Sequence, residues 1–166
     1  MSFTLAQFLA HAIALEDEAA ERYEELADMM EAHNNRDTAT VFKEMSRFST
    51  LHGTEIRERA KGVTLPKLMS WQYRWKTPPE VGGDDGVSYL MTAYHALLYA
   101  RENEIRGMEF YRQAANESKD AEVKRLGREF ADEESEHVVA LDKWIEKTPR
   151  PKSDWADDAE EAQSVD

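Results

Sequence analysis

Two short segments of the sequence combine a histidine with the kind of spacing that could hold a metal ion. The segment ADEESEH contains Glu134 and His137, three positions apart. On a helix, this spacing places a carboxylate and an imidazole on one face, where both can bind the same cation. The segment SRFSTLH ends in His52, but Ser49 stands where the glutamate would be. The sequence therefore predicts one complete ligand pair and one incomplete copy of it.

Two further glutamates lie alone among apolar residues on helical wheels. Glu16 and Glu104 each occupy an apolar stripe, and tyrosines Tyr23 and Tyr111 follow them after seven positions. Glu134 adds a third carboxylate that faces the same predicted core. Burying ionised carboxylates is costly unless something compensates their charge. A divalent cation would compensate all three, and without it they would hold protons in common, with raised pKa values.

The elements that must position these residues are predicted to be helices. Ala, Glu, Leu, Met, Arg and Lys dominate the composition, and all of them favour helices. Polar turns and the Gly62 and Pro149 regions interrupt the helical periodicity. The four predicted helices cover about residues 4–32, 36–61, 87–117 and 119–147.

The connection between the second and third helices, residues 62–86, is much longer than the other two connections. Short connections make the first helix pair antiparallel with the second, and the third with the fourth, whereas a long one returns the chain along the bundle. We therefore predict an all-α, ferritin-like four-helix bundle with one long crossover, formed by residues 1–147. Residues 148–166 are predicted to be an acidic, disordered tail.

The crossover carries three aromatic residues at alternate positions, Trp71, Tyr73 and Trp75. These rings are interpreted as a cover for the bundle surface or for a partner subunit. The alternative is a platform for a substrate or a redox partner.

Composition excludes several classes of function. The formal net charge is −13, so a nucleic-acid-binding surface is not expected, because it would repel phosphates. The chain has no cysteine, which removes disulfides, thiol catalysis and thiolate-bound metal, so any metal must use histidine and carboxylate ligands. No basic leader and no apolar run long enough to span a membrane are visible, so we expect a soluble, cytoplasmic protein without a membrane partner.

The candidate ligands follow the order of the predicted helices. One constant offset aligns His52 with His137 and Ser49 with Glu134, so the two halves look like copies of a two-helix unit. A glutamate helix followed by a Glu-x-x-His helix, present twice, is the arrangement of di-iron carboxylate bundles. With the segments EDEAAERY, EIRGMEFY and FADEESEH, the chain resembles the rubrerythrin-like branch of the ferritin-like superfamily over residues 1–147.

This resemblance implies a pair of irons bridged by carboxylates at the bundle centre, with chemistry on hydrogen peroxide or dioxygen, or oxidation of ferrous iron. Iron, two or one per chain, is the expected metal, and manganese or zinc could take its place. Tyr23 and Tyr111 would support the ligands by hydrogen bonds. By position, the implied metal ligands are Glu16, His52, Glu104, Glu134 and His137.

The sequence departs from the family pattern in three places. Without cysteines it lacks the rubredoxin-type iron module, so electrons would have to come from a separate donor protein. Gly107 and its surroundings offer no equivalent of the extra glutamate that many rubrerythrins carry on the third helix. Ser49 replaces the second-helix glutamate; it could bind a water that reaches the metal or support His52, and Glu55 is a poor substitute ligand. The expected results are an asymmetric metal pair or a single-metal site.

Three functions follow from this pattern. The first is a peroxide- or dioxygen-dependent oxidoreductase, the second is a ferroxidase-like iron-handling protein, and the third is a non-catalytic interaction protein with a relic site. A homo-oligomer, most simply a dimer, is expected for each. His11, His33 and His95 lack a preceding glutamate at the ligand spacing and are not expected to bind this metal.

Overall fold

The computed structural model describes residues 2–75, 79 and 88–152 of the chain. Within these ranges the protein is helical and contains no strand, which confirms the predicted all-α, ferritin-like bundle. The tail from residue 153 onward and most of the crossover after Trp75 lie outside the described residues. The elements are α1 Leu5–Ala32, α2 Arg36–Arg59, a 3₁₀ turn Ser70–Gln72, α3 Ala93–Glu117 and α4 Ala121–Lys147.

Side-chain caps set the beginnings of three helices. Thr4 and Thr92 accept hydrogen bonds from the third backbone N–H of α1 and α3, and Asp120 caps α4 in a similar way. Helix α2 ends at Arg59, and Gly62 follows it with a φ of +82°. This left-handed conformation favours glycine.

Helix α3 begins at Ala93, later than the position near residue 87 that the periodicity predicts. The cause is a contact from α2. Asn35 Nδ2 and Thr38 Oγ1 donate hydrogen bonds to the carbonyl of Met91, at 2.6 and 3.1 Å. Because these bonds hold that carbonyl, Thr92 adopts an extended conformation and becomes the cap of α3.

Two apolar clusters form the core, one toward each end of the bundle. The first is centred on Phe8, Phe110 and Phe130, and the second on Phe42 and Leu97. On all four helices the residues between the two clusters include the predicted ligands, so the ionisable side chains form a layer across the middle. We call this the ligand layer: Glu16, Ser49, His52, Glu104, Glu134 and His137.

The helices of the second hairpin approach each other closely at Gly127. A Cβ atom built on this glycine would lie 2.8 Å from the Cβ of Ala115 and 2.9 Å from the carbonyl oxygen of Tyr111. Small residues at this crossing therefore allow α4 to bring Glu134 and His137 against α3. Among the described helices, none is both long enough and apolar enough to cross a membrane.

Candidate metal centre

The first ligand group joins α1, α2 and α4. His52 Nδ1 lies 2.9 Å from Glu16 Oε1 and 2.9 Å from Glu134 Oε1. All three side chains are buried. One oxygen or nitrogen atom from each residue could therefore contact a single cation.

The second ligand group joins α3 and α4. His137 Nδ1 lies 3.0 Å from Glu104 Oε2 and 3.3 Å from Glu134 Oε2. Glu104 is buried, whereas the His137 side chain is about 29% exposed. This group therefore lies closer to solvent than the first.

Glu134 belongs to both groups and presents a different oxygen to each. Its Oε1 faces His52 and its Oε2 faces His137, which is the arrangement needed for a carboxylate that bridges two metal ions. Among the described residues, neither Glu134 Oε1 nor His52 Nδ1 has a hydrogen-bond partner of acceptable geometry, although both are buried. Buried polar atoms that converge without hydrogen bonds are suited to holding a cation, and carboxylates with imidazoles suit iron, manganese or zinc.

Burial and charge shift the pKa values of the cluster strongly. Burial raises the pKa of the Glu16 and Glu104 carboxyls, and the nearby charge of Glu134 raises both further. Burial acts in the same way on Glu134, but the neighbouring His137 and His52 imidazoles outweigh it and lower its pKa. Without metal the layer therefore retains protons, which a binding cation must displace.

The two histidines hold their protons tightly because carboxylates surround them. Burial alone would lower the pKa of both imidazoles, but the surrounding carboxylates outweigh it. The pKa of His52 is raised, and that of His137 rises to about 10. The metal-free centre is thus a network of buried acids and protonated imidazoles.

The two predicted supporting tyrosines are both fully buried, one in each apolar cluster. Tyr111 donates a hydrogen bond of 2.8 Å to Glu16 Oε1, which fixes the orientation of that carboxylate. The Tyr23 hydroxyl accepts a 3.0 Å hydrogen bond from Nδ2 of Asn103, a buried residue that the sequence pattern did not single out. Ser49 is buried one helical turn before His52.

Glu133 is a residue that the sequence analysis missed. Its Oε2 lies 2.8 Å from His52 Nε2, on the side of the imidazole opposite the first ligand group. The helical wheel of α4 directed attention to Glu134 and left its neighbour outside the apolar stripe. The only sequence signal was the doublet Glu133-Glu134 itself, because the contact depends on how α4 is rotated against α2.

A cavity of about 310 Å³ leads from the surface to both histidines. Phe48 forms part of its wall and stacks on the His137 ring, with the ring centroids 5.5 Å apart. Glu55 lines this cavity and belongs to neither ligand group, so the structure does not bring it in as a replacement for the carboxylate at Ser49. The lining residues are Phe48, Leu51, His52, Glu55, Glu133, Glu136 and His137.

The other three histidines lie outside both ligand groups. His11 Nδ1 contacts the Gln7 carbonyl oxygen at 2.7 Å, and His33 Nδ1 contacts the backbone of its own helix in the same way. His95 pairs with the Thr92 cap at the beginning of α3.

Comparison with known proteins agrees with this architecture. The family model for rubrerythrin matches residues 7–76. The crystal structure, at 2.00 Å resolution, of an uncharacterized conserved protein from Magnetospirillum magnetotacticum MS-1 is 74% identical, with a TM-score of 0.70. The match covers 92% of this chain and 100% of that one. No functionally curated protein matches the sequence significantly.

The fold and the two ligand groups define a ferritin-like four-helix bundle with a buried glutamate–histidine centre that could bind metal. The chain is a rubrerythrin-like, ferritin-like protein, as its sequence resemblance implied.

Proposed function

We propose that this protein is a non-haem iron oxidoreductase that acts on hydrogen peroxide or dioxygen at a carboxylate-bridged centre. The observation that carries the proposal is the position of Glu134, whose two oxygens face two separate ligand groups. Glu16 and His52 would complete one metal position, and Glu104 and His137 the other. When bound, iron supplies the electrons that reduce peroxide or dioxygen.

The protein's own residues would orient the ligands and control access. Tyr111 holds Glu16 through its hydroxyl, and the Glu133 carboxylate, 2.8 Å from Nε2 of His52, would keep Nδ1 directed to the centre. The cavity at the two histidines is large enough for small oxidants to approach the centre.

The direct test is a metal count followed by reaction with peroxide. Protein reconstituted anaerobically with ferrous iron should bind about two ions per chain if both positions fill, as in di-iron carboxylate bundles. Peroxide should then oxidise the bound iron much faster than it does in Glu134→Ala, which lacks the shared carboxylate. If the wild-type chain binds no iron, or if the two proteins react at equal rates, the proposed function is wrong.

The cavity also favours a ferroxidase-like alternative, since its acidic lining residues would attract ferrous ions. Under that alternative, dioxygen would oxidise several successive ferrous ions per chain, and the ferric product would leave the centre. A single oxidation per site that needs an external reductant for the next turnover would instead support the oxidoreductase.

A further inference from the structure

A row of aromatic rings connects the surface of the crossover with the ligand layer. Tyr73 stacks on Trp75 with 5.1 Å between ring centroids, and the Trp75 and Phe110 rings lie nearly perpendicular, also at 5.1 Å. Phe110 contacts Tyr111 at 5.6 Å, and the Tyr111 hydroxyl donates its 2.8 Å hydrogen bond to Glu16. The row thus ends on a carboxylate of the first ligand group.

The row contains oxidisable residues at both ends. Tyrosine and tryptophan can lose one electron, whereas phenylalanine is not oxidised under the same conditions. Phe110 lies between Trp75 and Tyr111 and could serve only as a packed bridge that electrons cross. If these rings only covered the bundle surface, their apolar area would be sufficient. A cover would not require the row to end at Glu16, a residue of the first ligand group.

Tyr73 and Trp75 differ in where their protons can go. Tyr73 is half-buried and lines a cavity at the surface, so it can release a proton to solvent. The buried Trp75 Nε1 has no hydrogen-bond partner among the described residues. Because a tyrosine gives up its proton when it loses an electron, we expect the radical to settle on Tyr73.

We propose that this row, Tyr73, Trp75, Phe110 and Tyr111, carries single electrons from the surface of the crossover to the centre when the centre holds only one ferrous ion. The inference rests on the proposed function. Reduction of hydrogen peroxide to two waters takes two electrons and two protons. A single ferrous ion, when bound, could supply only one of these electrons. Tyr73 provides the second electron through the row and releases its own proton to solvent, which leaves a neutral tyrosyl radical. Solvent at the centre supplies both protons that the two waters take up.

The make-up of the two ligand groups gives a reason for such a route. Ser49 adds no carboxylate to either group, and His137 is about 29% exposed whereas His52 is about 4% exposed. The two positions are therefore unequal, and partly loaded centres are expected to be common. A half-loaded centre that meets peroxide would otherwise take its second electron from a ligand or a core side chain. If Tyr73 loses the electron instead, the radical lies near the surface, where an external reductant can reduce it.

The experiment uses the full chain loaded with one ferrous ion and treated with one equivalent of hydrogen peroxide. Freeze-quench electron paramagnetic resonance should show a tyrosyl radical that is absent in Tyr73→Phe. Peptide mass spectrometry should find oxygen insertion at Tyr73 and Trp75 that exceeds insertion at Trp71 and Tyr89, although these two are more exposed, at 76% and 53%.

Two variants test the route itself. Phe110→Leu keeps the site apolar but removes the bridging ring, and Trp75→Phe keeps a ring but removes the oxidisable indole. Each should reduce the Tyr73 radical several-fold while ferrous binding, measured separately, stays unchanged. If one variant fails to fold, the other still decides.

The failures are distinguishable. The route is wrong if oxygen insertion simply increases with side-chain exposure. It is also wrong if both variants leave the Tyr73 radical signal unchanged. Neither result would contradict the proposed metal centre. If the wild-type protein binds no ferrous iron, the proposed function and the route both fail.

Discussion

The two histidines of the centre are held to different degrees by their neighbours. Both ring nitrogens of His52 lie close to carboxylate oxygens, Nδ1 at 2.9 Å and Nε2 at 2.8 Å. His137 is partly exposed and has the Phe48 ring stacked on it. A metal ion bound through His52 should therefore exchange more slowly than one bound through His137.

Glu133 can be tested as a positioning residue. Glu133→Ala should weaken metal binding about 10- to 100-fold, the usual effect of removing a carboxylate that orients a histidine ligand. Isothermal titration with ferrous or zinc ions measures this. Glu136→Ala is a matched control, because it removes the same charge from the same cavity lining. If both variants lose affinity equally, the effect is one of general charge and Glu133 does not orient His52.

Ser49→Glu should restore the missing carboxylate. We expect higher affinity for the second metal ion, and lower stability without metal, because a fourth acid enters a buried layer that already carries three. Metal titration and thermal unfolding with and without metal measure both effects. Thr50→Glu, which adds the same charge at an exposed position of α2, should change neither. Unaltered affinity in Ser49→Glu would show that position 49 is not part of the site.

At the scale of the helices, Gly127 controls the distance between α3 and α4. Replacing a helical glycine by alanine usually stabilises a helix by about 0.5–1 kcal/mol. Here the new methyl group would collide with the Tyr111 backbone and Ala115, so we expect Gly127→Ala to lower the free energy of unfolding by about 1–3 kcal/mol. Gly53→Ala is the control, because its nearest contact is the flexible end of Arg57 at 3.3 Å. Equal stabilities of the two variants in urea unfolding would contradict the close approach.

For the whole molecule, the ligand layer makes the stability of the metal-free protein depend on pH. The pKa of His137 rises from 6.5 to about 10, since Glu104 and Glu134 outweigh the opposing effect of burial. The folded state therefore binds this proton more tightly than the unfolded state. Its stabilisation is complete below pH 6.5 and is lost as the pH rises toward about 10.

Urea unfolding of the metal-free protein across this pH range measures the effect. Stability should fall as the pH rises, and the fall should be smaller in metal-free His137→Ala. Bound metal takes the place of the protons, so the loaded protein should show a much weaker dependence. A metal-free protein whose stability does not change between these pH values would contradict the assignment.

Much of the fold and of the candidate centre could be predicted from the sequence, because helical periodicity reports which face of a helix is buried. An acid such as Glu16 or Glu104 on an apolar stripe is visible from one helix alone. The beginning of α3 and the contact between Glu133 and His52 were not visible, since both depend on side chains that reach across from α2. Contacts of that kind depend on how two helices are rotated against each other, which periodicity within one helix does not specify.

The ligand layer also separates the core into two apolar clusters. Without a cation, the middle of the bundle is held by buried acids and their protons, and we expect local opening there to expose backbone amides to proteases. Because a ligand that binds only the folded state suppresses such opening, the lifetime of the protein in a cell should follow the supply of its metal. Its abundance would then change with metal availability even if its synthesis were constant.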